Sequence, residues 1–339
     1  MALYGRNLGE VEITCLIRSA YSRVFFELFG LRYEYLQTGS PEQIREQLGR
    51  FDVVLDFAYP AGQLHEILEQ SRENISNTLS AMRKGSKYFY MSSIMAYGMP
   101  DDQKWIGHYR VPRTSYSYIK REIEKHCLQE GNRCGISIYN FRLGQVHGFL
   151  QSVSASFRKK LSLAGTAVLD GRPSDKVNII FIHSLCAAIL DCAKGLHAPG
   201  LYTLVNTPQW TLEELYQYYL QFYRMDASLQ FRPSELMSKP KRSLARYAIE
   251  LAKPHRALLE TYVLMKAPKF YIRMKGRFRQ DAFSVLTPED SKQPYLDYNL
   301  LGTPPLQTIS GPEAGFEQTM TIERETADYY HSILSAASL

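Results

Sequence analysis

The sequence predicts an α/β fold: a doubly wound parallel sheet, joined by a smaller, mostly C-terminal α/β domain. Three observations carry this. Short apolar stretches alternate with amphipathic ones from Val11 to about Phe141, which is the pattern of strand–helix–strand units. Asp52–Ala58 (DVVLDFA) and Lys87–Ser92 (KYFYMS) are nearly continuous apolar runs, as parallel strands covered on both faces require. After Gly148 the alternation gives way to a basic helix and less regular sequence.

In order, the chain opens with ALYGRNLGE, which reads as the end of a helix. Val11–Arg18 (VEITCLIR) follows as a strand, closed by Arg18 and Ser19. Arg32–Gln37 is the next strand. Ser40-Pro41-Glu42-Gln43 then supplies an N-cap serine, a proline at the first helical position and an acid in the first turn, so a helix runs to about Leu48. The strand Asp52–Ala58 leaves through Ala58 and Tyr59 into a turn, then into a long helix around Gly62–Lys84 that carries Asn74. Lys87–Ser92 is a buried strand with the pair Ser92-Ser93 at its end. A polar loop, Met99–Arg113, holds Trp105, His108 and Tyr109. The helix after it contains Tyr116 and continues to about Gln129, and Gly135–Phe141 is again a strand. Beyond lie a basic helix (Ser154–Leu163), a strand (Gly200–Asn206) and a helix ending near Arg224. That last helix opens on Thr211 with Glu214 three residues on, a capping box. Thr321–Ile333 reads as a closing helix.

The chemistry gathers between Lys87 and Lys120. Tyr116 and Lys120 are four residues apart, so a helix sets phenol and ammonium on one face. Free tyrosine titrates near pH 10. A neighbouring ammonium stabilises the phenolate and brings it toward working pH, where proton transfer is most efficient. With a serine at a strand end, such a pair can handle a proton at a carbonyl or alcohol carbon.

Ser92-Ser93-x-x-x-Tyr97-Gly98, then Tyr116-x-x-x-Lys120, then Glu124 four residues further on, resemble the extended short-chain dehydrogenase/reductase superfamily. This is the NAD-dependent epimerase/dehydratase group of nucleotide-sugar epimerases, dehydratases and ketoreductases. The resemblance implies a Rossmann-type cofactor domain from residues 1–150 with 176–206, and a substrate domain from 151–175 with 207–339. It implies Tyr116 as acid/base. Lys120 would lower the phenol's pKa and hold the cofactor ribose, and Ser93 would bond the reacting oxygen. On the cofactor side it points to Arg18, Ala58, Tyr59, Asn74 and Ser92, together with Tyr116 and Lys120. The expected cofactor is NADP or NAD. Arg18 tilts the choice toward NADP, because a basic residue at that strand end can accept the extra phosphate. The expected substrate is a nucleotide sugar and the expected assembly a homodimer.

The sequence also departs from the pattern. No glycine-rich turn stands near the start, although that turn is what lets the backbone approach a pyrophosphate. The expectation is therefore that Met1 lies inside the first helix and that roughly 20 residues carrying the first strand and glycine turn are missing. The alternative is a divergent member with a shortened N-terminus. Gln37 or Thr38 stands where an aspartate near the adenine is usual. Ile94 and Met95 occupy the positions of the dehydratases' Asp-Glu pair. Neither side chain transfers protons, so sugar 4,6-dehydration is disfavoured. RLGQVHG (Arg142–Gly148) lacks a proline, a tyrosine and a final Pro-Gly of the matching loop. His183 and Ser184 replace two aspartates, and His183 reads as a structural residue.

Composition sets wider bounds. The 339 residues, 45% hydrophobic and 22% charged, are ordinary for a globular protein of one large or two coupled domains. No apolar run approaches the roughly 20 residues of a membrane helix, and Met1–Gly9 has no signal-peptide character. The five cysteines form no Cys-x-x-Cys pair, which suits a reducing, cytoplasmic setting and no metal site. Between Lys239 and Arg279 twelve basic residues face only Glu250 and Glu260, so the net charge of +6 is concentrated there. Ser243–Leu264 and Phe270–Phe283 read as basic amphipathic helices. They could grip a diphosphate-bearing substrate, rest peripherally on an anionic membrane, or form a solvated face or oligomer contact. Nucleic acid is not an expected partner. Two rival functions stay open: reduction of a non-sugar carbonyl, and a non-catalytic scaffold or partner subunit.

Overall fold

The structure is a computed structural model. It describes residues 2–5, 11–18, 20–60, 64–97, 105–106, 109–110, 115–162, 165–232, 307–308 and 315–337. The basic segment 239–279, Ser19, His108 and most of the loop 99–113 lie outside the described residues.

The first half alternates as expected. Helix α1 (Ala2–Gly5) is followed by β1 (Cys15–Ile17), α2 (Ala20–Leu28), β2 (Tyr33–Tyr35), α3 (Pro41–Leu48), β3 (Val53–Asp56), α4 (Leu64–Ala81) and β4 (Lys87–Ser93). A 3₁₀ turn, Ile94–Tyr97, closes β4. Then come the short β5 (Trp105–Ile106) and β6 (Tyr109–Arg110), helix α5 (Ser115–Cys134), β7 (Ser137–Leu143) and β8 (Gln145–His147). The remainder contributes α6 (Ser152–Ser162), β9 (Thr166–Asp170), β10 (Ile179–Phe181), α7 (Ile182–Ala193), β11 (Gly200–Leu204), α8 (Leu212–Tyr223), β12 (Ser228–Arg232), β13 (Gln307–Thr308) and α9 (Phe316–Ala337). Strands β1, β2 and β3 are shorter than their apolar runs. Ser40 caps α3 in a full capping box with Gln43, and Pro41 starts the helix.

Five parallel strands form the main sheet in the order β13-β11-β7-β4-β3. β1 and β2 form a separate parallel pair, and β8–β10 and β9–β12 two more. Alternation along β4 decides which helices cover the main sheet. Tyr88 and Tyr90 point to a core shared with Ile119, Ile123 and Cys127 of α5 and with Ile75 and Leu79 of α4. Phe89 and Met91 point the other way, to Leu185, Ala188, Ile189 and Cys192 of α7. Both faces are therefore covered, which is why β4 reads as an unbroken apolar run.

A third core joins Phe157 and Leu161 of α6, Leu169 of β9, Phe181, Trp210, and Leu215, Tyr218 and Tyr219 of α8. Met320 of α9 packs into it. Glu323 of α9 is wholly buried and accepts hydrogen bonds from the Tyr4 hydroxyl, at 2.8 Å, and from the Phe149 amide. Gly148 sits at φ +142°, and a Cβ there would lie 3.2 Å from the Tyr4 hydroxyl and 3.3 Å from Glu323. Glycine is what lets the chain turn past this buried carboxylate.

At α8, Thr211 accepts from the Glu214 amide while the Glu214 carboxylate accepts from the Thr211 amide. Thr211→Ala is expected to lower stability by about 1 kcal/mol, as read by denaturant unfolding.

Candidate active site

The described site lies at the C-terminal ends of β3 and β4, where the first turns of α5 pass over them. Lys120 is 5% exposed. Its ammonium donates to the Met91 carbonyl at 2.7 Å. Three aromatic rings surround it, with centroids at 4.8 Å (Tyr90), 5.2 Å (Tyr59) and 5.8 Å (Tyr116). Each such ring attracts the cation through its negative face, by about 0.5–2 kcal/mol. Burial nevertheless dominates and brings the amine down to about 8; Asp56, Glu124 and Cys127 oppose the fall. Tyr59 and Tyr116 form the outer wall, with ring centroids 5.6 Å apart. They are 44% and 37% exposed, so both phenols meet solvent at the mouth while the ammonium lies behind them.

Tyr116 and Lys120 are thus brought together, as helical spacing requires. Ser93 is buried at the end of β4 and its Oγ accepts from the Met95 amide at 3.2 Å, which leaves its own O–H available to donate. Ser92 is turned inward, and its hydroxyl donates to Glu124. Ala58 is exposed, its amide held at 2.7 Å by the Asp56 carboxylate. Arg18 is exposed at the end of β1, in the separate strand pair, and Asn74 is half-buried midway along α4. Ile94 is buried in the 3₁₀ turn and Met95 half-buried beside it. His183 is largely buried, its Nδ1 3.6 Å from Glu323.

Two residues and one ion pair escaped the sequence reading. Asp56 ends β3, accepting also from the Tyr88 hydroxyl; an acid at the C-terminal end of a parallel strand was the available signal. Tyr90 supplies a wall of the cage but looks like any core residue of a buried strand. Arg142 and Glu124 form a bidentate ion pair, 2.9 and 2.6 Å long, that no local pattern reveals.

A family model described as "NAD dependent epimerase/dehydratase family" matches residues 3–183, more than half of the chain. The protein belongs to the NAD-dependent epimerase/dehydratase family. Its fold agrees with that of family structures. It is similar to UDP-N-acetylglucosamine 4-epimerase from Bacillus cereus at 16% identity and a TM-score of 0.53, over 74% of this chain and 90% of that one. It is also similar to UDP-glucose 4-epimerase from Thermus thermophilus, solved with NAD, at 17% identity and a TM-score of 0.48, over 68% and 82%. A comparison with curated protein sequences returns no match. At 16% identity the likeness to the Bacillus cereus structure speaks for the mixed α/β fold of this epimerase/dehydratase member. Among its described residues no cluster of His, Cys, Asp and Glu could hold a metal ion, and no helix is long and apolar enough to cross a membrane.

Whether a nicotinamide cofactor fits can be tested on Lys120. An ammonium has three N–H donors, and the Met91 carbonyl takes one. The other two suit the vicinal hydroxyls of a ribose, and the exposed Tyr59 and Tyr116 rings suit a flat partner beside it. The nicotinamide-ribose end of such a cofactor therefore fits these residues.

Proposed function

We propose that this protein is an NAD(P)-dependent epimerase or ketoreductase that acts at a hydroxyl-bearing carbon of a nucleotide-linked sugar. The observation that carries the reading is the Tyr116–Lys120 pair, with the phenol at the mouth and the ammonium 5.8 Å behind its ring. A bound nicotinamide would supply the hydride acceptor or donor. Tyr116 would take the proton from the substrate hydroxyl as hydride leaves the same carbon, and return it when hydride comes back. Lys120 would favour the anionic phenol through its charge and hold the ribose with its two remaining donors. Ser93, accepting from Met95, would donate its own proton to the reacting oxygen. Epimerisation requires hydride to return to the opposite face of the same substrate, ketoreduction a single transfer. Ile94 and Met95 offer no acid or base for elimination, which speaks against dehydration. Arg18, exposed after β1, supports NADP over NAD.

The test is titration of NADPH and NADH against the full chain by intrinsic fluorescence, followed by turnover assays on nucleotide sugars and on hydrophobic ketones. Saturable binding, tighter for NADPH, with turnover of a nucleotide sugar is the expected result. Absence of saturation by either nucleotide overturns the reading and favours a non-catalytic partner subunit.

A further inference from the structure

The last three residues of β4 are tied differently. Met91 takes the Lys120 ammonium through its carbonyl, Ser92 donates its hydroxyl to Glu124, and Ser93 caps the turn. Glu124 follows Lys120 by one helical turn. Across the sheet, Ser92 pairs in register with Arg142 of β7. The Arg142 guanidinium grips both oxygens of Glu124, with side chains 0% and 2% exposed. It also lies 4.3 Å from the ring centroid of Tyr97, and the Tyr97 hydroxyl bonds Thr203 of β11. Asn140 donates to the Glu124 carbonyl at 3.2 Å, and Arg121 to the Ala96 carbonyl at 2.7 Å. Within Lys120–Glu124, α5 is therefore bonded to β4, β7 and the 3₁₀ turn.

Such a buried pair is weak evidence of stability. Desolvation costs several kcal/mol per ion, and an apolar pair of the same volume often serves as well. What it does supply is direction. Tyr116, Lys120 and Glu124 recur every fourth residue and share one stripe of α5. A slip by one residue would turn that stripe by about 100° and carry Tyr116 out of the mouth. Bidentate geometry resists such a slip, where a single contact would not.

We propose that Glu124 and Arg142 are the positioning pair of this site: their fork fixes the rotation of α5 that presents Tyr116, and the Glu124 carboxylate places a negative charge one turn behind Lys120. Neither is a catalytic residue, since both are sealed below the floor. The catalytic consequence rests on the function proposed above, but the electrostatic one does not. Charged and titratable groups facing Lys120 are Asp56 from β3, Tyr59 after it, Tyr90 from β4, and Tyr116, Glu124 and Cys127 on α5. Asp56, Glu124 and Cys127 favour the ammonium. Removing Glu124 leaves burial less opposed.

Two variants separate charge from geometry. In the double variant Glu124→Gln/Arg142→Met, neutral and of similar volume, the Lys120 amine is followed by pH-dependent acylation and mass spectrometry on the ligand-free chain. Its apparent pKa is expected to fall by roughly one pH unit, and kcat by about 10²-fold. Arg142→Lys retains the charges but cannot span both carboxylate oxygens. It is expected to leave Lys120 titrating as in the native chain while kcat falls at least about tenfold. Native titration in the folded double variant overturns the electrostatic half, and native kcat in Arg142→Lys overturns the positioning half. Should neither nucleotide bind while the double variant still shifts Lys120, the enzyme reading fails and the electrostatic role stands.

Discussion

Tyr116→Phe is expected to reduce turnover by about 10²–10⁴-fold, the contribution of general acid–base catalysis by one positioned group. The substitution removes one oxygen. The ring remains against Tyr59, 5.6 Å away, and over Lys120, so the cage keeps its shape. Nicotinamide binding and thermal stability should change little, because the phenol is 37% exposed at the mouth and surface changes usually move stability by less than about 0.5 kcal/mol. The decisive measurement is kcat at fixed, saturating cofactor. Unaltered kcat in the phenylalanine variant would remove Tyr116 from the chemistry whatever its neighbours. The conservative change matters, since a larger deletion would open the wall in front of Lys120.

The second large effect concerns stability against pH. His147 ends β8, is wholly buried, and is ringed by Phe157, Phe181 and Tyr219 at 5.4–5.9 Å. Its Nε2 lies 3.0 Å from Gln145 Oε1 and its Nδ1 2.7 Å from the Tyr219 hydroxyl. The amide oxygen can only accept, so the neutral ring carries its proton on Nε2. Burial brings the imidazole from 6.5 down to about 3. The unfolded chain therefore takes up a proton below about pH 6.5 that the folded chain refuses. Stability is complete above the unfolded value, declines as pH falls below it, and levels only near pH 3. The whole fall amounts to about 4–5 kcal/mol at about 1.4 kcal/mol per pH unit, with about 2 kcal/mol of it between pH 7 and pH 5. Denaturant unfolding at those two pH values should show the loss in the native chain. It should be largely absent in His147→Gln, which has no proton to gain. An equal loss in both chains would mean that other groups carry the acid sensitivity.

The parts of the site that could be read from the sequence are those held by one element. Tyr116 and Lys120 share a face of α5 because helical geometry is local, and any helix there would bring them together. Ser93 ends β4 because an apolar run stops at a polar pair. The N-cap at Ser40 and the capping box at Thr211 were legible for the same reason, each being complete within four residues. β12 was not: Ser228–Arg232 alternates half-buried and exposed and pairs only with β9, so its apolar signal is weak. The cage around Lys120 was not legible either. Tyr59 reaches it from the turn after β3 and Tyr90 from β4, both distant in sequence from α5, and neither position gives a local sign of which side chain it will meet. Ser92 shows the same gap. The family resemblance suggested the cofactor side, but the two hydroxyls alternate across the strand, and that of Ser92 turns to Glu124.

What the sequence determined alone was the class of fold and the pairing of a phenol with an ammonium, since periodicity and i,i+4 spacing act over a few residues. Tertiary structure decided how strongly that ammonium is buried, which carboxylates answer it, and that Arg142 and Glu124 lock the helix beneath it. Those outcomes depend on the register of β4 against β7 and on what desolvates each charge. Both arise only when segments far apart in the chain pack together.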